Sequence, residues 1–254
     1  ISMTTTQIAG ALGEVGILGS LIDRDDADSD PGLEAYLKQL KDGGARLTGG
    51  NHVKAQISSG MLVPRQLNAT SAGADPATLS LDAIAKYDGV NAPVIFDKDV
   101  SMSTTPSATD AWVLGPVIDG SGTDLNASDL TIDWGLNEQK LSDGGEPYPS
   151  HVSILKRTPT ITLTCHRTSY LADMGLAGRP ITGLTIYLKK TKENDTRVAD
   201  GTTGHIKLEV NEGTLQADPS TFNQGQSAGL SVSVQPTFDG TNDIIAVTTD
   251  TTIS

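Results

Sequence analysis

Three aspartates, Asp26, Asp28 and Asp30, alternate inside the acidic run DRDDADSDPG from Asp23 to Gly32, the spacing with which a calcium loop presents its first carboxylates. The remainder of such a loop is missing. Pro31 stands where the loop needs glycine, and Leu37 stands where a bidentate Glu would close the site. A solvated acidic loop is the expected role. The four histidines, His52, His151, His166 and His205, include no pair at i, i+4, and neither an HExxH motif nor a Cys-His cluster occurs. No G-x-x-x-x-G-K-[ST] phosphate loop is present. Carboxylates could pair for acid/base work as in a glycosidase, but their separation is not written in a sequence. The single cysteine, Cys165, excludes an intrachain disulfide framework and reads as a small core residue. The expectation is therefore a protein with no catalytic, cofactor-binding or metal-ligating residues, and not an enzyme.

With chemistry set aside, the composition points to architecture. The 254 residues are 37% hydrophobic and include 27 glycines. Runs of Thr, Ser, Val and Ile are broken by Gly, Asn and Asp, which reads as a mainly β chain. No apolar stretch approaches the roughly 20 residues of a membrane-spanning helix. The net charge of −13 argues against nucleic-acid binding, which needs clustered Lys and Arg to release counterions. It leaves open a surface past which DNA moves without sticking. Aromatic residues make up only 4%, with Trp112 and Trp134 the only tryptophans, few for a carbohydrate-binding β-sandwich, which usually displays several rings.

The chain repeats itself. HVKAQISSGMLVP (His52 to Pro64) and HIKLEVNEGTLQA (His205 to Ala217) share a leading His, a Lys, a Gly and a Leu. Ahead of them, GLEAYLKQLKDGGARLTGG from Gly32 overlies GLTIYLKKTKENDTRVADG from Gly183, matching Gly32/Gly183, Leu33/Leu184, Tyr36/Tyr187 and Leu37/Leu188. After them, Ala77 to Ser103 overlies Ala228 to Ser254. The three blocks give 20 identities in 59 aligned positions, and we read them as an internal duplication. Shared ancestry requires shared structure, so the helix-like PGLEAYLKQLKDGG takes the β assignment of its β-branched counterpart. Each such strand should turn, at Asp42-Gly43-Gly44 or Glu193-Asn194-Asp195, into a second strand ending near Gly60 or Gly213. The pairs Asp88-Gly89 and Asp239-Gly240 predict a closing two-stranded ribbon in each copy.

The match extends backwards: ISMTT at Ile1 resembles ITLTC at Ile161, each followed by a short helical stretch, QIAGALGEVGILGSLI and RTSYLADMGLAG. This gives a first domain over residues 1–103, N-terminally incomplete, a Gly/Pro/Ser/Thr-rich linker over 104–124 and a second domain over 125–254. The second copy carries about 50 residues before Ile161 that the first lacks, so equivalent strands are expected upstream of Ile1, where no signal peptide is recognisable.

The order IDWGL, SDGGEPYP, a strand ending PTITLT, the LADMGLAG helix, the GLTIYLKK strand and the final PTFDGTNDIIAV stretch resembles the major tail tube proteins of long-tailed bacteriophages. The likeness covers about residues 129–254, with residues 1–103 as a truncated second copy. It implies tandem antiparallel β-sandwiches, each with a flanking helix, in a structural virion protein made in the bacterial cytoplasm. It further implies self-assembly into stacked rings, contacts with other tail proteins, and a lumen through which genomic DNA passes unbound. Two domains per chain imply a trimeric ring with pseudo-sixfold symmetry. Another tail component of the same fold, such as a baseplate hub, and a carbohydrate-binding β-sandwich are the alternatives.

Overall fold

In the computed structural model, the residues described are 1–23, 32–37, 52–72, 75–87, 89, 92–101, 110–145, 148–166, 178–192, 196–218 and 230–253. They form 18 strands and one helix. The first segment contains β1 (Ser2–Thr5), α1 (Ile8–Val15), β2 (Ser20–Asp23), β3 (Leu33–Leu37), β4 (His52–Ile57), β5 (Ser59–Thr70), β6 (Thr78–Ala85) and β7 (Ile95–Val100). The second contains β8 (Ala111–Asp119), β9 (Ala127–Asp133), β10 (Leu136–Leu141), β11 (His151–Arg157), β12 (Thr160–Cys165), β13 (Arg179–Ile181), β14 (Leu184–Thr191), β15 (His205–Val210), β16 (Glu212–Asp218), β17 (Leu230–Thr237) and β18 (Ala246–Thr251).

One nine-stranded antiparallel sheet, in the order β1-β6-β5-β9-β12-β17-β16-β13 with β2 also on β5, runs through both segments. Its junction is the β5–β9 ladder, where Gln66 faces Asp133 and Thr70 faces Asp129. Two smaller sheets, β3-β4-β7 and β18-β15-β14-β8, and the β10-β11 hairpin complete the fold.

The ladders of the two segments use aligned positions. Leu33 faces Ile57, and Leu184 faces Val210. His52 faces Val100, and His205 faces Thr251, with a bulge following each histidine. Gly60 faces Ala85, and Gly213 faces Pro236. Met3 faces Leu81, and Leu163 faces Val232.

Alternation explains the sheet. In LSVSVQ, TITLT, DLTID and TLSLDA every second residue is apolar, and a period of two sends those side chains to one face. Leu79, Leu130, Ile132, Ile161, Leu163, Val232 and Val234 fill that face and are buried in one cluster with Trp112, Leu184, Ile186 and Leu208 from the second segment's smaller sheet. Burying each such aliphatic side chain contributes about 2 kcal/mol. Ile8, Leu12 and Val15 of α1 fall at i, i+4 and i+7 and join the same core, which offsets the poor helix propensity of Gly10 and Gly13. The helix ends at Gly16, whose φ of 60° few side chains tolerate.

Two expectations need correction. The expected linker over 104–124 contains β8, which pairs with β14 from Leu184↔Asp119 to Thr191↔Ala111; its AWVLGPV core, buried at Trp112, Leu114 and Val117, outweighs the glycine and proline beside it. The closing ribbons do not form: β6 joins the large sheet and β7 joins β4, while β17 and β18 part in the same way. An Asp-Gly turn fixes a reversal of the chain, and here the reversal crosses between layers, with Asp239 Oδ1 accepting from the backbone N–H groups of Thr241 and Asn242. As expected, the second strand of each copy ends near its glycine, β4 at Ile57 and β15 at Val210, and Gly60 and Gly213 fall second in the strands that follow. The turns at residues 42–44 and 193–195, the second helical stretch from 167 to 177, and Asp88 lie outside the described residues.

Candidate functional site

The face of the large sheet opposite its core is built almost wholly of small polar side chains. Across four strands one row reads Thr4, Ser80, Gln66, Asp133 and continues to Thr160; the next reads Thr78, Asn68, Thr131, Thr162, Ser233 and Gln216. The rows cross the β5–β9 junction without interruption. Thr131 Oγ1 donates to Asn68 Oδ1 at 3.0 Å, and Asn68 Nδ2 donates to Gln66 Oε1 at 3.2 Å, so the side chains cross-link the two segments over the backbone ladder.

Charge on this face is negative. Asp82, Asp129, Asp133 and Glu212 belong to it by register; Lys140 of β10 stands beside it, 4.0 Å from Glu138, and Arg65 is directed to it from the bulge of β5. That guanidinium is occupied: Nε meets Asp82 Oδ2 at 2.7 Å, Nη2 meets Glu138 Oε1 at 2.6 Å, and Nη1 also donates to the Leu136 carbonyl. The hydrogen bond from Ser2, and then that from Arg65, hold the Asp82 carboxyl below its ordinary range. The Arg65 hydrogen bonds do the same for Glu138. Both stay ionised at neutral pH and keep the Arg65 charge paired.

The residues singled out from sequence lie elsewhere. Asp26, Asp28 and Asp30 are outside the described residues. His52 and His205 are both buried, at 1% and 0% exposure. His205 Nδ1 accepts from the Lys190 N–H at 3.0 Å and Nε2 faces the Ala199 carbonyl at 3.1 Å, which places its proton on Nε2 and its role in the fold. His151 is exposed beside Asp143, at 3.0 Å; the backbone N–H of His166 donates to the Asn126 carbonyl. Cys165 is buried, and desolvation pushes its thiol up to about 12, so it is a core group with no thiolate character at neutral pH. Trp112 and Trp134 are buried too, leaving neither ring to stack on a sugar. Among the described residues no group of three or more His, Cys, Asp or Glu could hold a metal ion, and no helix is long and apolar enough to cross a membrane.

Sequence reading missed the Arg65 cluster. Its one signal was a lone Arg in the otherwise neutral strand LVPRQLNAT, and its partner Glu138 lies 73 residues away on a different strand pair. No protein-family model matches the chain, and no curated protein matches it.

Proposed function

We propose that this chain is a ring-forming structural protein whose large sheet lines a channel, in the manner of the tail tube of a long-tailed bacteriophage. The observation that carries the reading is the polar, net acidic sheet face that continues through both segments and holds the Arg65 guanidinium in ion pairs. A duct for DNA needs such a surface: hydroxyls and amides stay hydrated, and carboxylates repel phosphate, so the polymer is not trapped by counterion release.

The shared ladder registers support the duplication read from sequence, and the β5–β9 ladder supports a reading in which one unit adds to the next by plain strand pairing. A head-to-tail contact of this kind closes into a ring when its rotation divides a full turn. Two units per chain make three chains the natural complement of a sixfold ring, with only the threefold exact because the copies have diverged. The ring stacks into the tube, contacts other tail proteins at its ends, and passes genomic DNA through its lumen; the protein belongs to the virion after synthesis in the host cytoplasm.

Electron microscopy of the purified 254-residue chain is the test. Rings or stacked tubes with a central channel, each ring weighing three chains of 26.4 kDa by charge-detection mass spectrometry, are expected. A protein that stays monomeric at high concentration, or rings of six chains, would overturn the tube reading or the trimer respectively.

A further inference from the structure

A guanidinium at the foot of the β10–β11 hairpin lacks an acceptor. Arg157 faces Leu136 across the hairpin ladder, and Leu136 lies in the core, so the Arg157 side chain stands on the core side of the hairpin. Its Nε and Nη2 are buried and, among the described residues, have no hydrogen-bond partner. Arg65, by contrast, has Nε, Nη1 and Nη2 all engaged, the last two by Glu138 of the same hairpin. Nε and Nη2 form one edge of a guanidinium, spaced to receive both oxygens of a carboxylate. A charged donor that is buried and unmet costs more than an ordinary lost hydrogen bond, so a carboxylate on this edge would lower the energy.

One carboxylate is within electrostatic range. Burial pushes the Arg157 guanidinium below its ordinary value, and the charge of Asp243 opposes that. Asp243 is exposed in the turn from β17 to β18, with Ile245 near it in the core. The backbone of this turn is braced: Asp239 Oδ1 accepts from the N–H groups of Thr241 and Asn242, and Asn242 Nδ2 donates to Asp239 Oδ2. Rotation of an exposed side chain, not rebuilding of the turn, is therefore the movement required. Arg157 is half-buried as a residue, which puts its guanidinium at the rim of the core, where that carboxylate can arrive.

We propose that Arg157 and Asp243 form a latch: in a second arrangement of the chain the Asp243 carboxylate seats on the Nε–Nη2 edge and ties the β10–β11 hairpin to the β17–β18 turn. Ligand-free proteins exchange between such arrangements when a few contacts separate them. Glu138 already fastens the other strand of this hairpin to Arg65 of the first segment. With the latch closed, the hairpin is held by a charged pair on each side and braces the first segment against the second. The latch depends on these side chains alone and holds or fails whatever the assembled form.

A double-mutant cycle in chemical denaturation of the 254-residue chain tests it, and the sign of the Arg157→Met effect decides first. A buried guanidinium that stays unpaired is a cost, and its removal should raise the folding equilibrium constant. One that closes on Asp243 is missed when removed, and the constant should fall about tenfold. Asp243→Asn should cost a similar factor, at an exposed position where substitution is otherwise nearly neutral. The losses must not add: Arg157→Met/Asp243→Asn should lie within about twofold of Arg157→Met alone. Amide exchange at Ile244 and Ile245 is the second readout and should quicken about tenfold in Asp243→Asn, with β12 unchanged. If Arg157→Met does not fold, Asp243→Asn and its exchange decide by themselves. A gain from Arg157→Met, a neutral Asp243→Asn, additive losses or unchanged exchange would each overturn the latch. So would a high-resolution structure in which a water or a backbone carbonyl fills the Arg157 edge.

Discussion

Arg65 and Glu138 meet through two parallel contacts, Nη2 to Oε1 at 2.6 Å and Nη1 to Oε2 at 2.9 Å, and so fasten β5 of the first segment to the hairpin of the second. Planar, two-pronged pairing of this kind is the stronger form of ion pair, and both side chains are less than a third exposed.

Arg65→Met should therefore lower stability by about 2 kcal/mol, since it strips a charged hydrogen-bond donor from two carboxylates. The pH dependence follows from the direction of their shifts. Asp82 and Glu138 are held below their ordinary values of 3.8 and 4.5, so their contribution is complete above those values and is lost as pH falls through the lowered ones. Thermal melts should show the gap between wild type and variant wide at pH 7 and narrowing below about pH 4. A gap independent of pH would mean that lost packing, not lost charge, carries the effect.

A buried histidine with both ring nitrogens engaged makes a different prediction. His205→Phe leaves the Lys190 N–H and the Ala199 carbonyl without their present partner, which costs about 2 kcal/mol and should lower the melting midpoint by about 4–8 °C. His151→Phe is the control, because its pairing with Asp143 is about 70% exposed on both sides and such pairs are worth little. Equal losses at the two sites would refute the structural role given to His205.

The aligned glycines report close backbone approach. A Cβ on Gly60 would lie 2.1 Å from the Ile84 carbonyl oxygen, and one on Gly213 would lie 2.7 Å from that of Gln235. Neither neighbour is a flexible side-chain tip, so the strands must part to admit a methyl group. Gly60→Ala and Gly213→Ala should each cost more than about 2 kcal/mol in chemical denaturation, with Gly60 the more sensitive. Gly201, with open space around its would-be Cβ, should accept Ala at little cost.

What the sequence made legible was whatever depends on period and repetition. Alternation in TLSLDA and LSVSVQ marked strands and separated core from polar face; repetition moved Leu33–Leu37 from helix to strand. What it hid depends on partners distant in sequence. Nothing local to Asp239-Gly240 states that β18 will join β15 instead of β17, and nothing local to Arg65 names Glu138. The AWVLGPVID strand was hidden for another reason: its neighbours are turn-forming residues, so composition over a window diluted seven residues that pair alongside β14.

The acidic face is the place to test the functional reading by charge. Asp129 and Asp133 sit exposed on β9, and Glu212 on β16; none is tied into the Arg65 cluster, and because Asp133 Oδ1 accepts from the Gly135 N–H, a thermal melt of the variant checks that it folds. Converting all three to Lys moves the local charge by six units and offers phosphates new cations. Assembled wild-type protein should show no retention of double-stranded DNA at 0.05 M salt, whereas Asp129→Lys/Asp133→Lys/Glu212→Lys should retain it, with affinity falling by about 0.9 decade per decade of salt for each phosphate engaged. The effect must fade as the Debye length contracts from about 30 Å at 0.01 M to about 10 Å at 0.1 M. Retention of DNA by the wild type, or a variant whose binding ignores salt, would show that this face is not a passive lining for a charged polymer.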